Sequence, residues 1–370
     1  MRIIYGVSGE GLGHVYEAIE IAEMLQREGH SVKILTFGDR ALEALKGFSP
    51  SRIEGFPLHV KANQMSVWRT ALRNRHTLTF YVRHWRRLRR ELEAFEPDVF
   101  LTAYEPYTTL MSHVLRRPLI SMDNQNGLRY LRRAPVGSAM ELAVVRIATR
   151  LCTLGAAFYL IKSYRPLTPD NPRDRIVAPI VQRDIRALNP AVGAHFLVYL
   201  TKPNPEFVDV LRELDEPCVI YCHDRVGDEG KLRFRPRGAG FLDDLASCRA
   251  IIGTAGFSLI ADAIFLKKPY FAVPLRKQFE QTMNALFLAD SGLGAYSESP
   301  TVGELRQFIA DLPRYTERLE AQRFDPTEQE KALCEVLGRL ARRRAVSTTD
   351  ASPLFSAVPR GKGSCSQEKA

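Results

Sequence analysis

The sequence predicts an α/β protein of two doubly wound domains facing a central cleft, and three observations carry that prediction. The chain has 370 residues, about twice the length of an ordinary domain. Its first half alternates short apolar runs with stretches of helical apolar periodicity. After a proline-rich stretch, "YRPLTPDNPRDRIVAPIVQRDIRALNP", the same alternation begins again.

The elements follow in chain order. "RIIYGV" reads as a strand, then Val15, Ala18, Ile19, Ala22 and Leu25 recur at helical spacing. Gly29 stops that helix and "SVKILTF" is the next strand, a βαβ start. "DVFLTA" and "PLISM" are apolar runs bounded by proline and polar residues, as buried parallel strands are. Tyr104 and Glu105 follow the first of these; Asp123, Asn124, Gln125 and Asn126 follow the second. Carboxyl ends of strands border the crevice of a doubly wound sheet, so these side chains are expected to line it with the glycine-rich turn after the first strand. The second series runs through "HFLVYL", "PCVIYC", "KLRFRP", "RAIIGT" and "PYFAVP", with helical patterns over Phe207–Leu214, Phe257–Phe265 and Gln281–Ala289. The expected division is a Rossmann-like domain over 1–188 and a second over 189–344. The second closes with a helix from about Pro326 to Arg344, and a Ser-, Pro- and Gly-rich tail over 345–370 lacks periodicity.

A net charge of +10 and a pI near 9.4 favour an anionic partner: a phosphorylated substrate, a membrane surface or nucleic acid. No secretory signal is visible at "MRIIYGV", and the expected location is the cytoplasm. The longest apolar segment, "AMELAVVRIATRLCTLGAAFYLI", carries Glu141, Arg146 and Arg150, charges too costly for a membrane span, so a helix followed by a strand is expected there. Six scattered cysteines without a C-x-x-C pair fit neither a disulfide framework nor a zinc site.

In "YGVSGEGLGHVYEAIEIAEML", Gly9, Gly11 and Gly13 let the backbone approach a ligand closely, and the turn opens a helix whose amino end attracts negative charge. The spacing is neither G-x-G-x-x-G nor a P-loop, so a nicotinamide cofactor is not expected. His14 falls in the first helical turn, where the dipole disfavours imidazolium and keeps the ring neutral, as a general base requires. The plainer reading is a helix-start residue bonded to nearby backbone. In the second half, strand "RAIIGT" leads into "GTAGFSL", where backbone N–H groups and the Ser258 hydroxyl can hold a diphosphate. Asp262, one turn along, can accept hydrogen bonds from a ribose diol, and Glu280, Gln281 and Asn284 start a later helix within reach of sugar hydroxyls.

The segment "GTAGFSLIADAIFLKKPYFAVPLRKQFEQTMNALFLADSGLG" resembles the donor-binding region of GT-B glycosyltransferases, in particular the MurG-like type with its family 28 C-terminal domain. "GEGLGH" resembles the acceptor-side loop of the same enzymes, and the likeness runs to about residue 344. It is similar also to poorly assigned prokaryotic glycosyltransferases sharing "YGVSGEGLGH", "DNQ" and "EQ..NA". The resemblance implies a GT-B fold and transfer of a sugar from a nucleoside-diphosphate donor, a UDP-sugar, to an acceptor hydroxyl, without metal or further cofactor. It implies that Gly256, Phe257 and Ser258 surround the diphosphate, that Asp262 binds the ribose and that Gln281 and Asn284 face the donor sugar. Phe241 and Leu242 of "GFLDDL" hold the base. His14 then removes the acceptor proton, with Asp123 or Glu105 orienting it, and Asn124 joins the glycine loop on the acceptor side. Aspartate stands where glutamate is usual at the ribose, and the plant-type "HCGWNS" signature is absent. A GT-B-fold epimerase or hydrolase, and a non-catalytic nucleotide-sugar- or nucleic-acid-binding protein, are the alternatives.

"WRTALRNRHTLTFYVRHWRRLRRELEAFEP" mixes Arg69, Arg73, Arg75, Arg83, Arg86, Arg87, Arg89 and Arg90 with Trp68, Phe80, Tyr81 and Trp85. With Arg129, Arg132 and Arg133 it can form a basic face for anionic lipid headgroups, favouring a lipid-linked or glycan acceptor and a peripheral place at the membrane's inner face. Its other reading is a solvated arginine face with the aromatics in the core. No recognised nucleic-acid motif is present, and nucleic acid is not an expected partner.

Overall fold

The computed structural model describes residues 1–9, 12–55, 60–61, 64–65, 75–130, 139–165, 167–201, 204–222, 226–236, 238, 240–275 and 278–349. The first sheet has seven parallel strands: β1 (Arg2–Val7), β2 (Ser31–Thr36), β3 (Ser51–Arg52), β4 (Val99–Ala103), β5 (Leu119–Asp123), β6 (Phe158–Lys162) and β7 (Asp174–Val177). They lie in the order β3-β2-β1-β4-β5-β6-β7, reversing direction between β1 and β4. Every residue of β4 and β5 is buried, which is why these strands are apolar but for Thr102, Ser121 and Asp123 rather than alternating.

A second sheet repeats the plan with β8 (Phe196–Tyr199), β9 (Cys218–Tyr221), β10 (Gly227–Glu229), β11 (Leu232–Arg235), β12 (Ala250–Gly253), β13 (Tyr270–Ala272) and β14 (Gly294–Tyr296). Its order is β10-β11-β9-β8-β12-β13-β14, parallel except for the β10–β11 pair, with its own reversal between β8 and β12. The period of two along a strand sends Leu197, Val219 and Ile251 to one face, and Phe196, Val198, Ile220 and Ile252 to the other. Helices close both faces, so this is the doubly wound fold that the alternation predicts.

The helices that matter for the site are α1 (Leu12–Arg27), α2 (Arg75–Ala94), α3 (Pro106–Val114), α4 (Ala139–Thr153), α5 (Pro205–Leu214), α6 (Phe241–Ser247), α7 (Phe257–Phe265), α8 (Phe279–Asp290) and α9 (Glu328–Thr349). Ile260, Ala263 and Ile264 of α7 pack on the first face of the second sheet, and Phe207 and Leu211 of α5 on the other. Two compact units divide after Ala332; the first, Met1–Ala332, carries both sheets. The tail over 350–370, like Gly11, Trp68, Arg69, Arg73, Arg132 and Arg133, lies outside the described residues. Among the described residues no helix is long and apolar enough to cross a membrane. The segment "AMELAVVRIATRLCTLGAAFYLI" is α4 followed by β6, the helix and strand expected there.

The arginine-rich helix α2 divides its two residue classes. Tyr81, Leu88 and Leu92 are buried against Ile4, Phe100 and Met111, with Phe80 and Trp85 partly buried beside them. The aromatics are therefore core residues and not interfacial anchors, whereas Arg83, Arg86, Arg87, Arg89 and Arg90 are exposed. Arg129 does not join that face: its guanidinium is 2.9 Å from Asp174 and lies over the Tyr159 ring.

Candidate active site

The reversal points of the two sheets put the ends of β1, β4, β8 and β12 along one cleft, where such folds bind ligands. After β1 the chain turns tightly. A side-chain carbon on Gly9 would stand 1.7 Å from the Phe37 carbonyl oxygen, and one on Gly13 would stand 2.7 Å from Ser258 Oγ. A larger residue at 13 would turn the Ser258 hydroxyl away, because the amino ends of α1 and α7 approach each other there.

At α7 the N-cap is Gly256, whose backbone makes no side-chain cap, and open space surrounds its α-carbon. The first N–H groups of this nine-residue helix have no partner inside it, so they and Ser258 form an anion-attracting end facing the cleft. Asp262, one turn further, is buried, and its carboxyl makes no hydrogen bond among the described residues. Burial alone pushes its pKa up to about 8. The buried Thr201 hydroxyl just beyond β8 also has no partner among the described residues.

His14 stands in the first turn of α1, half-buried. Burial, then the nearby charge of Lys162, lowers its pKa to about 4, against an opposing pull from Glu17. Lys162 ends β6 and holds its Nζ 2.5 Å from Glu17 Oε2, both side chains buried. Gln329 Nε2 donates to the other Glu17 oxygen at 2.7 Å. Lys162 and Glu17 line a small hollow with Gly13, Phe257, Ser258 and Asp262.

The carboxylates expected beside His14 are committed elsewhere. Glu105 is the N-cap of α3, accepting from Tyr107 N at 2.8 Å and Thr108 N at 2.6 Å, and from the Thr108 hydroxyl at 2.5 Å. Burial raises its pKa despite these bonds. Asp123 accepts from Asn126 N and Nδ2, both at 2.7 Å, and from the Ser121 hydroxyl at 2.5 Å, anchoring the turn after β5. Both are local scaffolding for the strand ends. Glu105→Ala is expected to lower stability by about 2 kcal/mol, because a cap is lost and buried donors are left unpaired. A lower denaturant midpoint with unchanged slope checks this.

Asn124 Nδ2 and Gln125 Nε2 each donate to Glu280 Oε1 at 3.3 Å, linking the β5 end to the start of α8. Behind this bridge is a cavity of about 170 Å³ walled by Tyr104, Leu128, Lys162, Phe257, Met283 and Phe287, among others. The buried Gln125 Oε1 also lines it, with no partner among the described residues. Asn284 faces this cavity too, but its Nδ2 is spent on the Ala255 carbonyl at 3.1 Å, and its own carbonyl accepts from Tyr164. Gln281 Oε1 accepts from Leu275 N at 2.9 Å. These two amides brace the loops before α7 and α8. Phe241 packs its ring edge-on against Tyr199 and Tyr221, and Leu242 lies half-buried beside the same core. Sequence reasoning missed Lys162 and Glu17; Tyr104, expected at the crevice, does line this cavity and is held at φ 60° between β4 and α3, a costly left-handed conformation for a tyrosine.

A family model described as glycosyl transferase family 1 matches residues 1–313. No curated protein matches this sequence. Among solved structures, the calicheamicin glycosyltransferase CalG4 aligns with a TM-score of 0.66 at 17% identity, covering 92% of this chain and 99% of its own. The spinosyn rhamnosyltransferase SpnG, complexed with thymidine diphosphate, gives 0.62 at 17% identity over 91% of this chain and 100% of its own. A glycosyltransferase of kitacinnamycin gives 0.62 at 18% identity over 92% and 98%. Two facing doubly wound domains, an open helix amino end at their cleft and a family match over most of its length make one conclusion: the chain belongs to glycosyl transferase family 1 and is a glycosyltransferase of the GT-B fold.

Proposed function

We propose that this enzyme transfers a sugar from a UDP-sugar to an acceptor hydroxyl, with His14 as the general base. The observation that carries the donor half is Asp262, a buried carboxyl with no hydrogen-bond partner among the described residues, one turn from an uncapped helix amino end. A diphosphate at Ser258 supplies the anion that the helix end attracts, and a ribose diol supplies the donors that Asp262 lacks. SpnG was solved with thymidine diphosphate, and thymine shares the pyrimidinedione edge of uracil. The diol separates the two: UDP brings both ribose hydroxyls to Asp262, a deoxyribose nucleotide only one. The donor motif's likeness to the MurG-like type supports uridine as well.

His14, whose pKa burial and Lys162 lower to about 4, follows Gly13, the residue that meets the donor loop at Ser258, and from there is to accept the acceptor proton as the hydroxyl attacks the anomeric carbon. The dipole of α7 then stabilises the departing diphosphate. The acceptor enters the cavity behind Asn124 and Glu280, whose walls are largely apolar. The exposed arginines of α2 favour an anionic, lipid-linked acceptor over a neutral glycan. Release of UDP from UDP-sugars is expected to depend on added hydroxyl acceptor, strongest among lipid-linked phosphates. Equal release without any acceptor would move the reading to a hydrolase.

A further inference from the structure

Lys162 and Glu17 form a buried ion pair that stability does not explain, since stripping water from two charges costs several kcal/mol, often as much as their attraction returns. The pair's position is informative. Glu17 follows His14 by one turn on α1, and Lys162 reaches it from the end of β6, lining both the hollow beside Gly13 and Ser258 and the larger cavity. Gln329 holds the second Glu17 oxygen, so the carboxylate cannot swing away without leaving two donors unpaired. Among the described residues the charged groups that act on His14 are Glu17 on its own helix and Lys162 from β6, and Asp262 on α7 lines the hollow with them. Glu280 on α8 faces Lys162, and Tyr5 on β1 faces Glu17.

We propose that Lys162 and Glu17 are positioning residues that set the protonation of His14 with opposite signs, the ammonium disfavouring imidazolium and the carboxylate favouring it. The inference rests on reading His14 as the base. Both side chains line the hollow beside Gly13, the residue before His14, and Lys162 lines the larger cavity as well. The direction of the His14 shift agrees, with Lys162 lowering it more than Glu17 raises it.

The test uses the full-length protein with carbon-13-labelled histidine, His14 being assigned by its absence from His14→Ala. Lys162→Met is expected to raise the His14 titration midpoint by about one pH unit or more, and the acid limb of kcat/KM should move with it. Adding Glu17→Gln to that variant brings the midpoint back down, and Lys162→Arg leaves it near the wild-type value. If Lys162→Met does not fold, Lys162→Arg and the Lys162→Met/Glu17→Gln pair, which buries no lone charge, carry the comparison. In that case the pair gives a midpoint above that of Lys162→Arg. An unchanged midpoint in Lys162→Met, or one equally high in the single and double variants, overturns the inference. The base reading fails separately, by full turnover of His14→Ala, an outcome that leaves the titration standing.

Discussion

His14→Ala is expected to lower kcat by about 10²–10⁴-fold, the usual contribution of a positioned general base, while leaving UDP binding nearly intact. The separation follows from geometry. His14 sits on the first domain's side of the cleft, whereas the α7 amino end and Asp262 belong to the second sheet. The alanine is smaller than the imidazole, so the close Gly13–Ser258 approach survives. A pH profile gives an independent check. Folding lowers the His14 pKa from its ordinary 6.5 to about 4, so the base stays unprotonated down to that range and kcat/KM should lack an acid limb near 6.5. The same shift affects stability: between about pH 6.5 and 4 the unfolded chain takes up a proton on this histidine that the folded chain refuses. The His14 contribution therefore weakens folding as pH falls through that window. Full turnover by His14→Ala would remove the base assignment.

Asp262→Asn is expected to weaken UDP binding by about 10–100-fold, from the loss of one of the two carboxyl oxygens that meet the ribose diol. It should also narrow the preference for UDP over a thymidine nucleotide, since the second hydroxyl loses its acceptor. The stability effect has the opposite sign. Burial holds the Asp262 proton in the folded chain up to about pH 8, whereas the unfolded chain releases it near 3.9. In that interval folding is disfavoured progressively as pH rises. Asparagine removes this penalty, so the variant's melting temperature should exceed the wild type's by more at pH 8 than at pH 5. A residue that costs stability and gains binding is what a ligand site requires. Tight UDP binding by Asp262→Asn would sink the ribose assignment.

Both sheets were legible in the sequence, because strands buried on both faces are largely apolar, as "DVFLTA" and "PLISM" are, and short runs of that kind bounded by proline and polar residues alternate with longer helical patterns. The two small-residue turns were legible for a related reason: glycine at 13 leaves room for the Ser258 hydroxyl to face α1. The partners of His14 were not legible. A lysine at the end of an apolar strand reads as a solvated terminus, and Glu17 reads as one of several acids on the polar side of α1; their contact joins residues 145 positions apart. Glu105 did carry a signal of its true role, since Pro106 immediately after an acidic residue marks a capped helix start. The pull of its place at a strand end outweighed that signal. Gln281 and Asn284 show a related limit: a motif identifies the loop an amide belongs to, but not that the amide braces backbone.

The central claim is that the amino end of α7 and Asp262 hold a uridine diphosphate. A calorimetric titration of the full-length protein with UDP, thymidine diphosphate and GDP, repeated on Asp262→Asn, tests it most directly. One UDP is expected to bind saturably, more tightly than the other two nucleotides and more weakly in the variant. Folded protein that binds none of the three, or binds UDP equally well with asparagine at 262, would contradict it.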